Sequence, residues 1–299
     1  MKIHITTLGC KVNQYESGQI AAKYIAEGHE ITKNIKDADV CVVNTCAVTG
    51  FAEKKSRYQV ARIKRLNQSA EIIVCGCAAD RGLNERVRGF VSVQNRQKAY
   101  IKVQDGCNNF CSYCIVPHLR GRSRSRPIED ILKEIRATGK HTVLTGIDLS
   151  SYDDLHRLCA AIDRRFELSS MEVCIITDDF LQILGSNKFF IPNFHLSLQS
   201  GCDRILDLMN RKYTTADYLA RVALIREYFP GARLTTDVIC GFPTETDAEF
   251  LETVAFVKKV GFAHVHVFPY SRRTGTRAAD LPQLQASVIT KRTKQLDEA

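Results

Sequence analysis

Cys107, Cys111 and Cys114 stand three and two residues apart in the run Cys107-Asn108-Asn109-Phe110-Cys111-Ser112-Tyr113-Cys114. Three thiolates in one loop can hold three irons of a cubane iron-sulfur cluster, leaving the fourth iron open to chelate a ligand. With His118 as fourth donor the same loop would instead make a structural zinc site of three cysteines and one histidine. Phe110 and Tyr113 would shield either centre from water. A second set lies upstream, where Gly9-Cys10, Thr45-Cys46 and Gly76-Cys77 each close an apolar, strand-like run. Twelve cysteines in a chain with no sign of secretion point to metal binding or chemistry rather than to structural disulfides.

Such residues need a scaffold that brings strand ends together. The 299 residues suggest about two domains, and 44% hydrophobic with 25% charged residues is a globular composition. No apolar run approaches the ~20 residues of a membrane span, so no membrane partner is expected. The start, Met1 to Leu8, alternates like a strand and lacks the features of a secretory signal, which makes the cytoplasm the expected location. Three strand-then-helix units open the chain. Asn13-Gln14-Tyr15-Glu16 has the shape of a capping box for a first helix ending at Gly28, and 53–66 reads as a helix with a basic face. Strands alternating with helices imply a parallel sheet whose carboxyl ends share one edge, so Cys10, Cys46 and Cys77 can converge there.

Six further apolar runs follow, at 99–104, 142–147, 170–175, 194–199, 234–240 and 264–268. Helical patterns at 128–138, 153–166, 216–228 and 245–260 separate most of them. Six such units suit an incomplete (β/α) barrel with its site at the carboxyl ends of the strands. The fold expected is therefore α/β: an amino-terminal doubly wound parallel sheet over 1–95, then a partial six-stranded barrel over 96–299, with the boundary near residues 90–98.

The cysteine loop after the first barrel strand resembles that of the radical S-adenosylmethionine enzymes, and its flanks resemble the methylthiotransferases among them. Lys102-Val103-Gln104-Asp105-Gly106 leads in; Ile115-Val116-Pro117, Arg120-Gly121 and Arg124-Ser125-Arg126-Pro127 lead out. Thr7-Leu8-Gly9-Cys10, Asn44-Thr45-Cys46 and Gly76-Cys77 match the places where that family carries ligands of a second cluster. The resemblance implies two 4Fe-4S clusters. The one on Cys107, Cys111 and Cys114 would bind S-adenosylmethionine and cleave it reductively to a 5'-deoxyadenosyl radical; the one on Cys10, Cys46 and Cys77 would present the sulfur to be inserted. A second S-adenosylmethionine would give the methyl group. It also implies a low-potential electron donor and a sulfur source as partners.

Later barrel motifs of the family are matched around Gln199, Arg211 and Asp237, which are nominated to hold the cofactor, with Tyr113 against the adenine; Asp148 and Glu172 are weaker candidates. A buried structural hydrogen-bond network is the alternative for Gln199, Arg211 and Asp237. Ser197 and Gln199 alternate with Leu196 and Leu198, so the polar pair can face the barrel interior. Cys41, Cys75, Cys159, Cys174, Cys202 and Cys240 read as small hydrophobes, Cys75 being the rival to Cys77. His264-Val265-His266 reads as barrel-lining histidines rather than as a metal site.

Forty-two Lys+Arg against 33 Asp+Glu favour a polyanionic partner. Two basic groups stand out: Lys54, Lys55, Arg57, Arg62, Lys64 and Arg65 on one helix, and Arg120, Arg122, Arg124 and Arg126 beside the cluster loop. Gly9 to Ser17 resembles the branch acting on threonylcarbamoyladenosine beside the tRNA anticodon, so the anticodon arm of tRNA is the expected substrate. The alternatives are the isopentenyladenosine branch, the branch modifying a ribosomal-protein aspartate, and a non-catalytic iron-sulfur or zinc protein that binds RNA. The chain departs from the family pattern in several places. It stops about where relatives begin a small RNA-binding β domain, which is read as lacking here. Its connections near Gly139 and Tyr152, and between Cys77 and Cys107, are short. Thr244 replaces a usual glycine, and Cys202 a small polar residue.

Overall fold

The computed structural model describes residues 1–79, 92–94 and 96–299. The strand-helix alternation at the start becomes β1 (Lys2–Thr7), α1 (Lys11–Ala26), β2 (Glu30–Thr32), β3 (Val40–Thr45), α2 (Gly50–Leu66) and β4 (Glu71–Gly76). The four strands form a parallel sheet in the order β2-β1-β3-β4. Every residue of β3 is buried, as expected of a central strand covered on both faces. The capping box does not form. Cys10 is the N-cap of α1 and makes no side-chain cap bond, while Asn13 turns back into the cysteine turns. The second helix starts earlier than the sequence suggests, because Thr49 accepts a hydrogen bond from the Ala52 amide and caps it.

The chain continues through β5 (Lys98–Lys102), β6 (Gln104–Asp105), α3 (Val116–Arg120), β7 (Arg124–Ser125), α4 (Ile128–Thr138), β8 (His141–Thr145), α5 (Leu155–Ala161), β9 (Phe166–Leu168), β10 (Ser170–Met171), α6 (Asp178–Ser186), β11 (Asn193–Leu196), α7 (Asp203–Leu208), α8 (Thr215–Tyr228), β12 (Arg233–Cys240), α9 (Asp247–Val260), β13 (His264–Pro269) and α10 (Ala286–Asp297). Parallel pairing runs β5-β8-β9 and β10-β11-β12-β13. Only Ser169 separates β9 from β10, and its amide still bonds Leu144 of β8. The result is six strand positions in one curved sheet, with β5 and β13 at its edges and unpaired with each other among the described residues. The partial six-stranded barrel expected from the sequence is present.

Two readings need correction. The third barrel strand begins at Phe166, not at residue 170, and Val173–Ile175 is a 3-10 turn. The helix read over 153–166 is only Leu155–Ala161, because Phe166 is taken by the sheet and is fully buried against Phe190. The boundary near residues 90–98 lies partly outside the described residues. The large barrel core packs Ile101, Leu144, Phe166, Phe194, Leu196, Leu198 and Val238 against residues of the outer helices such as Ile131, Phe180, Tyr218 and Phe250. Because successive strand residues alternate in direction, this leaves Ser197, Gln199, Thr235, Asp237, His264 and His266 on the opposite, interior face.

Candidate active site

All three cysteine-bearing ends of the first sheet meet at its carboxyl edge, and glycine makes the approach possible. Gly9 has φ +93°, and a Cβ there would lie 2.8 Å from Cβ and 3.0 Å from Sγ of Cys46. Gly76 has φ +86°, and its Cβ would strike Asn44 Oδ1 at 2.4 Å. Both positions therefore require a residue with no side chain and a left-handed backbone. Asn13 knits the turns together, donating to the carbonyls of Leu8 (2.8 Å) and Thr45 (2.7 Å). Cys46 and Cys77 are buried and Cys10 is exposed. Burial pushes the Cys46 and Cys77 thiols up, the Arg120 charge opposing this at both. Cys75 points instead into the core with Ile3, Val40 and Val42, so of the two rivals it is Cys77 that faces the edge.

The second triplet lies in the loop after β6. Asn210, at φ +59°, reaches across to donate to the carbonyls of Asn109 (3.2 Å) and Phe110 (3.1 Å). Ser112 is pinned through its amide to Met209 O and through its hydroxyl to Leu208 O. Burial raises the Cys107 thiol to about 11 and the Cys114 thiol to about 12. Neither is a thiolate at neutral pH without a bound cation to displace its proton. In a tetrahedral zinc site with Zn–S bonds of about 2.3 Å the sulfurs would stand about 3.8 Å apart. Among the described residues, neither cysteine triplet brings its three sulfurs within 4.8 Å of one another. His118 is exposed and packs edge-on against Phe110. With the His118 ring packed on Phe110, the loop offers three thiols, the donor set of an iron-sulfur cluster with one open iron.

Around this loop sit the other nominated residues. Arg211 donates to Cys111 Sγ at 3.3 Å and to Tyr213 OH at 3.1 Å, and pairs with Glu172. Asp148 accepts from Asn109 Nδ2 at 3.1 Å, and the Cys107 sulfur lies 3.9 Å from it. Burial, with the Glu172 charge beside it, pushes the Asp148 carboxyl up. Gln199 is 9% exposed and holds φ +69°, a conformation costly for any residue but glycine, with its amide on Asp237 O at 2.8 Å. Phe110, Gln199, Asn210 and Thr244, the non-glycine residues of positive φ among those described, all stand in loops at the carboxyl ends of elements. Tyr113 is partly buried, packed on the apolar cluster that includes Ile205, Met209 and Phe242. Asp237 lies on the interior face of β12 beside His195.

The sequence missed the joint between the two sheets. Arg120, read as part of a basic mouth for nucleic acid, has a side chain only 9% exposed. It bonds Glu16 (2.9 and 3.1 Å), Asp105 (3.1 Å), Asn13 Oδ1 (2.7 Å) and Cys77 Sγ (3.3 Å). Lys102 joins the same two carboxylates. Arg126 is likewise committed, to Glu134, Tyr15 OH and Lys102 O. Arg124 donates to Arg120 O. Only Arg122 of the four is exposed, stacked on Phe110. The basic residues of α2, by contrast, are all exposed, alongside Phe51 and Tyr58 at 78% and 58% exposure.

Residues 101–257 match the radical SAM superfamily, and residues 2–107 match a family described as uncharacterized, UPF0004. The threonylcarbamoyladenosine tRNA methylthiotransferase of Chlamydia pneumoniae is 37% identical over 98% of this chain and 80% of its own length. The enzyme of the same name from Bacillus subtilis is 34% identical over 97% of this chain and 78% of its own. The first alignment runs over 339 positions against 299 residues here, so that relative carries insertions, in keeping with the short connections of this chain. The radical S-adenosylmethionine methyltransferase TsrM from Kitasatospora setae, solved with tryptophan and a cofactor analogue, has a TM-score of 0.67. It covers 93% of this chain and 75% of its own at 14% identity, a likeness of fold. No helix among the described residues is long and apolar enough to cross a membrane.

Proposed function

Because the chain belongs to the radical SAM superfamily, and within it to the tRNA methylthiotransferases, we propose that it converts threonylcarbamoyladenosine beside the tRNA anticodon to the 2-methylthio derivative. The observation that carries this reading is the pair of separate cysteine triplets, one at the carboxyl ends of three parallel strands and one in the loop after β6, with Arg120 tying Cys77 to Glu16 and to Asp105 at the start of that loop. Membership of the superfamily brings one 4Fe-4S cluster and S-adenosylmethionine; the second cluster, on Cys10, Cys46 and Cys77, is part of the proposal.

Cys107, Cys111 and Cys114 hold the first cluster. When bound, it and S-adenosylmethionine supply the radical that activates an otherwise inert carbon. The chain's own residues set the conditions. Arg211 places positive charge beside Cys111, and hydrogen bonds to cluster sulfurs and burial tune the potential. Gln199, Arg211 and Tyr113 are proposed to hold the cofactor, with Asp237 on the interior face of β12. Residues 1–95 form the sulfur-presenting domain and 96–299 the radical domain. A low-potential electron donor and a sulfur source complete the turnover, in the cytoplasm. The exposed face of α2, with Lys54, Lys55, Arg57, Arg62, Lys64 and Arg65 around Phe51 and Tyr58, is the surface proposed to track tRNA phosphates.

Alanine at Cys107, Cys111 or Cys114 should abolish reductive cleavage of S-adenosylmethionine. Alanine at Cys10, Cys46 or Cys77 should leave cleavage and remove the methylthio product. Full product from Cys77→Ala with loss in Cys75→Ala would overturn the assignment of the second triplet.

A further inference from the structure

On the open interior face of the barrel, three adjacent strands bring together side chains, His195 and Asp237 half-buried and His266 exposed, that neither cysteine triplet uses. Asp237 of β12 and His266 of β13 are register partners, and His195 of β11 stands opposite Thr235, one step from Asp237 on the same face. One ligand atom from each of His195, Asp237 and His266 lies within 4.8 Å of the others. His195 Nε2 is 3.2 Å from Asp237 Oδ2. It is buried yet not aligned to hydrogen-bond with anything.

The outer nitrogens of both rings are held. His195 Nδ1 is 2.9 Å from Thr235 Oγ1, and His266 Nδ1 is 3.1 Å from His264 Nε2. That is how metal-ligating histidines are oriented: one ring nitrogen is fixed by an outer partner, leaving the other for the ion. Tetrahedral zinc with bonds of about 2.0–2.1 Å places its ligands about 3.4 Å apart, close to the separation His195 and Asp237 already have.

We propose that His195, Asp237 and His266 bind one divalent transition-metal ion of the zinc or ferrous class, in addition to the clusters. Two histidines and one carboxylate leave at least one coordination position open, as in mononuclear zinc and non-haem iron sites. It faces the barrel interior, where water or an oxygen of bound substrate completes the shell. In this role Asp237 is a metal ligand and not a contact of S-adenosylmethionine.

The test uses the full chain with its clusters reconstituted anaerobically, then equilibrated with zinc and freed of excess. Zinc, iron and acid-labile sulfide are measured on the same sample. One zinc per chain should be retained, and lost in His266→Ala and Asp237→Asn with iron and sulfide unchanged. Cobalt(II) should give a ligand-field band without thiolate charge transfer, and ferrous iron competing with zinc shows which of the two the site prefers. Equal zinc in the wild type and both variants, or a thiolate band from the added cobalt, would overturn the proposal. Because iron and sulfide are counted separately, failure here leaves the reading of the cysteine triplets standing, and the converse.

Discussion

Replacing Arg120 with methionine should cost the chain about 3 kcal/mol of stability. The guanidinium is the hub of a buried ionic joint between α1 of the first sheet and the start of the barrel, touching Glu16, Asp105, Asn13 and Cys77. Removing one partner of a buried pair typically costs 3–5 kcal/mol, because the remaining charge is left uncompensated. The lower end applies because Lys102 stays 2.9 Å from Glu16 and 3.2 Å from Asp105. Urea unfolding of the wild type, Arg120→Met, Glu16→Gln and the double variant gives the coupling directly. The double variant should be more stable than the sum of the single losses implies, since it removes both charges of the Arg120–Glu16 pair. A loss under about 1 kcal/mol for Arg120→Met would put the residue among screened surface pairs and refute the joint.

Three further outcomes follow. Burial pushes Glu16 up, but Lys102 and Arg120 hold its carboxyl below the ordinary value of 4.5. Its stabilisation should therefore be complete above that pH and vanish as pH falls through the lower folded value; the stability difference from Glu16→Gln, followed by urea unfolding between neutral and acid pH, should shrink to nothing only at the acid end. Thr244 combines φ +68° with a buried, unpaired hydroxyl, so Thr244→Gly should raise stability by about 1 kcal/mol; a loss would mean the strain is not where the backbone places it. Changing Lys54, Lys55 and Arg62 to alanine should weaken tRNA binding and reduce the slope of log affinity against log salt by roughly 2–3; an unchanged slope would remove α2 from the interface.

Much of this architecture was legible from spacing alone. Alternating apolar runs gave five of the six barrel strand positions, and the two triplets stood out because cysteines at strand ends are neither random nor redundant with packing. The third strand was misplaced since Phe166-Glu167-Leu168 continues a helical pattern, while Val173-Cys174-Ile175 is apolar yet closes a 3-10 turn. Arg120 was misread for a different reason. Basic residues crowded in sequence look like a nucleic-acid patch, and the carboxylate that claims this one lies 104 residues away. Asn13, likewise, looked like a helix cap and is instead a tie between the cysteine turns. The His195, Asp237 and His266 group was illegible because it depends on which strands are neighbours, which no local pattern states.

The measurement that bears most directly on the central reading is nucleoside mass spectrometry after one in vitro reaction. The reconstituted chain would be incubated anaerobically with S-adenosylmethionine, a reductant, sulfide and tRNA carrying threonylcarbamoyladenosine, and the digest analysed with 5'-deoxyadenosine from the same tube. The account predicts 2-methylthio-threonylcarbamoyladenosine together with 5'-deoxyadenosine, both lost in Cys111→Ala and only the former lost in Cys46→Ala. Unmodified threonylcarbamoyladenosine alongside abundant 5'-deoxyadenosine, or methylthiolation of isopentenyladenosine tRNA instead, would contradict it.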